Sequence, residues 1–322
     1  INYDVDDGVT YGVKWKVKNF RGLGEQLSLS ATKHRDKEHG GSVSWSAPWA
    51  FGRRLQLRSG IFNYRRLDEP SGDDYIKART GADFVVGVPI TDDLVRQFWI
   101  FASLSYEVRE SVLDLSSWTN GYNGMPYRQN LYSIGAALSF DSRDNRLSPK
   151  HGTVQYASIR RYDALHGLEQ QYSFYKVASY FYIPLGPLGT LIAAADGDFR
   201  DGDVPPFFEL GLGGRNDLRG YTDPPGSRRK TRFLGTLQLR RRLTGPHVFT
   251  IPWVGRFDLT VNGVAFADNG ALMNDIGDIE RTPFRTSGGF GLEILSPVQD
   301  LIRIEAAFCD GNAPHYYVTS GI

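Results

Sequence analysis

The residue types that carry most enzymatic chemistry are present in this chain, but they are not spaced to perform it. Six histidines, His34, His39, His151, His166, His247 and His315, fall in expected turns or strand ends without metal-ligand spacing. His34 and His39 flank Arg35-Asp36-Lys37-Glu38, which reads as a solvated loop tip. The glycine-rich stretch around Gly211 invites a nucleotide-binding reading. It lacks a Gly-Lys-Ser/Thr ending, its glycine spacing departs from the dinucleotide fingerprint, and no helix is expected after it. Ser42 follows Gly40-Gly41 but lies in an expected strand, not at a strand-to-helix elbow. Cys309 is the one cysteine and cannot form an intrachain disulfide. No catalytic residue, metal ligand or cofactor is expected, and the chain reads as a non-enzyme.

The elements that would position any site are strands. Val9, Tyr11, Val13, Trp15 and Val17 alternate with Thr10, Gly12, Lys14, Lys16 and Lys18. Ile100, Ala102, Leu104, Tyr106 and Val108 alternate with Phe101, Ser103, Ser105, Glu107 and Arg109. Ile302, Ile304, Ala306 and Phe308 do the same against Arg303, Glu305 and Ala307. In extended backbone each pair of sets stands on opposite faces. No segment carries a sustained helical apolar stripe.

Roughly 16 such segments of about 8 to 15 residues are expected, long enough to cross a bilayer as tilted strands. Their approximate spans are 1–5, 9–19, 25–34, 42–49, 54–65, 76–89, 96–110, 131–141, 152–164, 170–184, 189–199, 228–243, 253–267, 284–295, 301–310 and 314–322. A mean hydropathy of −0.35 argues against a helical membrane protein. It does not argue against a barrel, whose polar lumen face cancels its apolar lipid face in any average. An aromatic share of 13% suits interfacial girdles. A soluble β-sandwich is the competing fold, but its strands are shorter and turn their apolar faces inward. The connections also alternate. Phe20–Gly24, Pro89–Asp93, Pro184–Gly189 and Ser296–Asp300 are compact, whereas 66–75, 111–130, 201–227 and 268–283 are long and polar. That parity suits short periplasmic turns and long outer loops. The expectation is an all-β, antiparallel transmembrane barrel of about 16 strands, one domain over residues 1–322, with a long loop folded into its lumen.

Net charge is +1, which gives no reason to expect nucleic acid as a partner. Ile1-Asn2-Tyr3-Asp4 has neither a basic leader nor an apolar run, so a leader, if the protein is exported, is expected to have been removed ahead of it.

Within connection 201–227, Arg219 is the residue with most at stake. Folded into a lumen, it would need a carboxylate. Asp268 shares lumen-facing parity with Arg256, Asp258 and Phe266 and is placed to receive it. The alternative is a solvated arginine in a flexible outer loop.

Four motifs in register then carry a family resemblance. Leu212-Gly213-Gly214-Arg215-Asn216-Asp217-Leu218-Arg219-Gly220-Tyr221 resembles the loop signature of the BamA superfamily, the bacterial surface-antigen barrels: a Gly-Gly pair, then Arg-Gly-aromatic. Phe266-Ala267-Asp268-Asn269-Gly270 resembles the aromatic-x-Asp-x-Gly motif on the second strand after that loop. Asp141-Ser142-Arg143-Asp144-Asn145, with Pro149 and Gly152, resembles a periplasmic turn of the family. Tyr316-x-Val318-x-x-Gly321 resembles the signal on the closing strand. Val9 to Arg66 reads like the family's early hairpins, so the resemblance to the barrels of BamA- and TamA-like outer-membrane insertases spans essentially the whole chain. It implies that Arg219 pairs with Asp268, with Phe266 and Tyr221 packed nearby. One departure is that the family often carries Glu-x-Arg where Gln238 and Arg240 stand here. Arg240-Arg241-Arg242 reads as a strand end at the periplasmic interface.

The resemblance further implies a factor in the outer membrane of a Gram-negative-type bacterium that helps insert or translocate polypeptides. Its partners would be membrane lipids, lipopolysaccharide and unfolded outer-membrane or secreted polypeptides; the oligomeric state is left open. The work would be done at a weak seam, here Ile1–Val5 against Pro314–Ile322, with Pro314 removing a ladder hydrogen bond. An open seam exposes edges that can template an incoming strand. Two rivals remain: the membrane anchor of a fused hydrolase, patatin-like or phosphoesterase, and a passive pore. The anchor is motivated by a sequence that starts inside the first strand with no POTRA repeat visible.

Overall fold

Alternation of this kind leaves each strand one apolar and one polar face, and a closed sheet is the arrangement that gives lipid the first and water the second. The structure is a computed structural model. It describes residues 2–4, 8–34, 38–66, 76–91, 93, 96–111, 127–166, 171–204, 208–214, 217–223, 227–251, 255–296, 300–311 and 313–320. These form sixteen strands: β1 (Asn2–Asp4), β2 (Gly8–Phe20), β3 (Glu25–His34), β4 (Glu38–Ala47), β5 (Gln56–Arg66), β6 (Ile76–Pro89), β7 (Gln97–Ser111) and β8 (Tyr127–Asp141). There follow β9 (Gly152–His166), β10 (Gln171–Pro184), β11 (Thr190–Gly202), β12 (Thr231–Ile251), β13 (Gly255–Met273), β14 (Arg285–Ser296), β15 (Asp300–Cys309) and β16 (His315–Ser320). Each pairs antiparallel with its sequence neighbours, and β1 closes the barrel on β16.

The faces divide as the alternation requires. Val13 is 74% exposed, Ile134 66% and Phe290 61%, all on the outer surface. The opposite face holds polar pairs such as Ser30–Ser42 at 2.7 Å and Ser105–Ser133 at 2.6 Å. One rim carries the tight connections 21–24 and 185–189, and the other carries the long excursions 203–230 and 274–284. The tight rim is the one that the parity of the connections assigns to the periplasm.

Several boundaries depart from the sequence reading, among them the starts of β4 and β8, which lie four residues earlier than expected. β12 and β13 run on to Ile251 and from Gly255 to Met273, well past the turn expected near Thr244–Pro252. Gly245-Pro246 looks like a turn signal, but the ladder absorbs it through register shifts between Arg242, Thr244 and His247. A bulge can seat a residue that has no N–H to give. Arg240-Arg241-Arg242 therefore lies within β12, not at its end. β16 begins at His315, so Pro314 stands outside the ladder and removes no bond from it. The seam pairs Tyr3 with Val318 and Asp4 with Tyr317; Ile1, Val5, Gly321 and Ile322 lie outside the described residues.

Candidate functional site in the barrel lumen

The long excursion between β11 and β12 turns inward and is braced by its own backbone. Leu210 and Arg229 exchange N–H···O bonds of 2.7 and 3.1 Å, forming a narrow neck. Beyond it, the Leu218 N–H donates to the Leu212 carbonyl at 2.9 Å, and the Leu212 N–H donates to Asp223 Oδ2 at 2.6 Å. The neck is tied to the wall by Arg232 of β12, whose guanidinium meets Asp198 of β11 and Asp217 of the loop, each at 2.7 Å. Burial raises the Asp217 carboxyl above its usual pKa even though Arg232 opposes the shift.

At the tip, Arg219 donates through Nε and Nη2 to the two oxygens of Asp268, at 2.7 and 2.8 Å, and through Nη1 to Glu305 at 2.9 Å. The three are 7%, 1% and 5% exposed. The guanidinium carbon lies 3.4 Å from the centre of the Phe266 ring, a cation–π stack as well as an ion pair. Thr236 donates a further bond to Asp268 at 2.8 Å. Burial alone would lower the Arg219 pKa; the hydrogen bond and charge of Asp268, then of Glu305, outweigh it and raise the value. The arginine is thus a permanent cation, and its two carboxylates offset its desolvation.

The glycines of the motifs make the approach possible. Gly220 has a φ of 78°, and its Cα lies so close to the Ala307–Phe308 backbone that a Cβ would fall 3.0 Å from it. Its N–H donates to the Tyr317 hydroxyl of β16 at 3.0 Å. Gly270 leaves space on β13 for Leu212, whose Cδ1 would sit 2.7 Å from an added Cβ. Gly213 and Gly214 form the turn that precedes the tip, with the Gly214 N–H donating to the Tyr221 carbonyl at 3.2 Å. The Tyr221 ring lies 5.9 Å from the Arg285 guanidinium. The loop's entry is held elsewhere. The Phe208 ring packs on Tyr162, Tyr172 and Phe174 with centroids 5.2 to 5.6 Å apart, and Arg109 lies 4.0 Å above it. The excursion therefore crosses the lumen, from a wall of β7, β9 and β10 to a wall of β13, β15 and β16.

A second polar cluster lies nearer the periplasmic rim. Glu293 of β14, almost fully buried, accepts from Gln238 at 3.3 Å and faces Arg303 at 3.3 Å and Arg240 at 3.8 Å. Arg240 also donates to the carbonyl of Pro149, in the turn after β8. The carboxylate facing Gln238 and Arg240 thus comes from β14. In that same turn, burial works against the charge of Asp144. Amide donation from Lys150 and His151 outweighs it and holds the carboxyl below its usual range.

Of the remaining residues singled out, Tyr316 and Val318 point outward from β16, on the face opposite Tyr317, and are exposed. Gly321 lies outside the described residues. The sequence reading did not single out Glu305, Tyr317, Thr236 or Glu293; all four share lumen parity with their neighbours, and that parity is the signal that marks them. Ser42 bonds Ser30, and the Cys309 thiol donates to the Thr286 carbonyl at 3.3 Å. Among the described residues no three His, Cys, Asp or Glu side chains gather as a metal set.

Comparison with known proteins follows the same geometry. The Omp85 superfamily domain matches residues 19–317. BamA from Haemophilus ducreyi lacking POTRA domains 1-3 superposes with a TM-score of 0.71 at 16% identity, covering 99% of this chain and 68% of that one. CdiB from Escherichia coli gives 0.66 at 15% identity, over 98% of this chain and 61% of the other. CdiB from Acinetobacter baumannii gives 0.60 at 13% identity, over 98% and 57%. The chain therefore spans less than two thirds of either CdiB. Identities this low establish the shared fold. No curated protein sequence matches it significantly.

Proposed function

The chain belongs to the Omp85 superfamily and is an outer-membrane β-barrel, and from that premise we propose that it assists the insertion or translocation of polypeptides through the seam between β1 and β16. The observation that carries this reading is the contrast in pairing. Among the described residues β1 spans three and meets β16 at Tyr3–Val318 and Asp4–Tyr317, whereas β12 and β13 stay paired from Thr231–Met273 to Ile251–Gly255. Strand separation costs least where the ladder is shortest. A freed edge presents unpaired N–H and C=O groups, which an incoming strand satisfies by β-augmentation. The activity needs no covalent step, so no catalytic centre is assigned. The loop's role in this reading is to hold β13, β15 and β16 as one wall while the short strand on the other side of the seam departs. Lipid and lipopolysaccharide would contact the outer apolar face.

The test is a reversible lock. In the full-length protein with Cys309→Ser, Tyr3→Cys and Val318→Cys are joined by a disulfide. Folding of a urea-unfolded outer-membrane barrel polypeptide into vesicles is then followed by gel mobility. Locking is expected to abolish the assistance and reduction to restore it. Equal assistance by the fully locked protein rejects the seam.

A further inference from the structure

The β12–β13 hairpin leaves the barrel at its periplasmic rim. β11 parts from β12 at Thr190–Arg240, where Gly189 turns with a φ of 111° so close to the Arg240 carbonyl that no Cβ would fit. β14 parts from β13 at Leu295–Thr260. The hairpin strands nevertheless stay paired with each other as far as Ile251–Gly255. β12 thus lacks a partner on its β11 side over residues 241–251, which at ~3.3 Å each reach about 35 Å along the strand, and residues 247–251 with 255–259 form a two-stranded ribbon beyond both neighbours. Among the described residues, nothing pairs with β12 on its β11 side after Arg240.

Among the described residues that leaves a strand edge without a partner, which proteins usually shorten, twist or cover. Here Pro246 and the register shifts interrupt it only in the middle, leaving runs on either side. Leu243, Val248 and Phe249 are exposed beside it, as are Arg241 and Arg242. Only another extended backbone can meet a row of alternating N–H and C=O groups in register. The charge along the edge selects the kind: Arg241 and Arg242, both exposed, stand where it begins. Two copies joined edge to edge would bring arginines together, which disfavours self-pairing.

We propose that this edge binds, by β-augmentation, an extended polypeptide segment carrying acidic side chains. The inference rests on the polypeptide-handling reading above, and the ribbon would hold such a segment before it reaches the barrel wall. It is tested with the full-length protein in nanodiscs and a capped peptide of alternating Glu and Val, about 12 residues long to match the edge. The Glu–Val peptide is expected to bind, with a Lys–Val peptide at least about tenfold weaker. Arg241→Glu with Arg242→Glu should reverse that order, so gained Lys–Val binding shows that the variant is folded. N-methylation of one alternate set of peptide amides should abolish binding, and methylation of the other set should leave it intact. Absence of binding, equal affinity for both peptides, or indifference to both methylation patterns overturns the proposal. So does a concentration-dependent dimer that excludes the peptide. Locking the seam should leave peptide binding unchanged, so a failure here and a failure of the seam are told apart.

Discussion

Along β2, Lys14, Lys16 and Lys18 stand on the lumen parity and remain exposed, whereas along β13 the lumen-facing Asn262, Val264, Phe266 and Asp268 are all buried. Both strands alternate inward and outward residues in the same way. What differs is the cover. Among the described residues, the loop from β11 meets β13, β15 and β16, while Lys14, Lys16 and Lys18 of β2 stay uncovered. Burial in this barrel is therefore conferred on the strands from across the lumen. The loop is anchored at both ends, by Phe208 on one wall and by Arg219 and Gly220 on the other. It works as a strut across the half of the barrel that includes β16.

Breaking the strut should therefore damage one half selectively. Arg219→Ala leaves Asp268 and Glu305 buried without their cation and should cost about 3–5 kcal/mol, read as a lower midpoint for loss of heat-modifiable gel mobility. Phe208→Ala empties the aromatic cluster at the other anchor, and urea unfolding in micelles should register about 3 kcal/mol. Gly270→Ala drives a methyl against Leu212 and should cost about 1–3 kcal/mol. A double variant with Leu212→Ala should recover part of that loss, since the clash is with that side chain. Lys16→Ser on the open half should move the same midpoint by no more than about 0.5 kcal/mol. A large effect at Lys16 together with a small one at Arg219 would invert the contrast.

The barrel was legible because period-two alternation survives in nearly every strand, and because the parity of long and short connections is a global property. The misreadings are local. Gly245-Pro246 carries the residue types of a turn, yet cross-strand pairing on one side suffices to continue through it as a bulge. Gly40-Gly41 hid the true start of β4 for a similar reason: glycine weakens the alternation without ending the strand. Within the lumen, Asp268 is suggested by parity and motif, but Glu305 is a different problem. Its contact with Arg219 joins residues far apart in sequence, and which of several inward carboxylates meets the loop depends on barrel closure and stagger. The same holds for Glu293, which meets Gln238 and Arg240 of β12 from β14. The free edge of the ribbon is invisible to alternation altogether, because it arises from where the neighbours of β12 and β13 stop.

The contrast between the braced and the open half is tested most directly by spin-label distances in nanodiscs, in the Cys309→Ser background. Labels at outward positions across β12 and β13, Leu237 and Ala265, should give a narrow distribution, and labels across the seam, Val13 and Val318, a broad one. Arg219→Ala should broaden the first without sharpening the second. Equally narrow distributions at both places, unchanged by Arg219→Ala, would contradict the account.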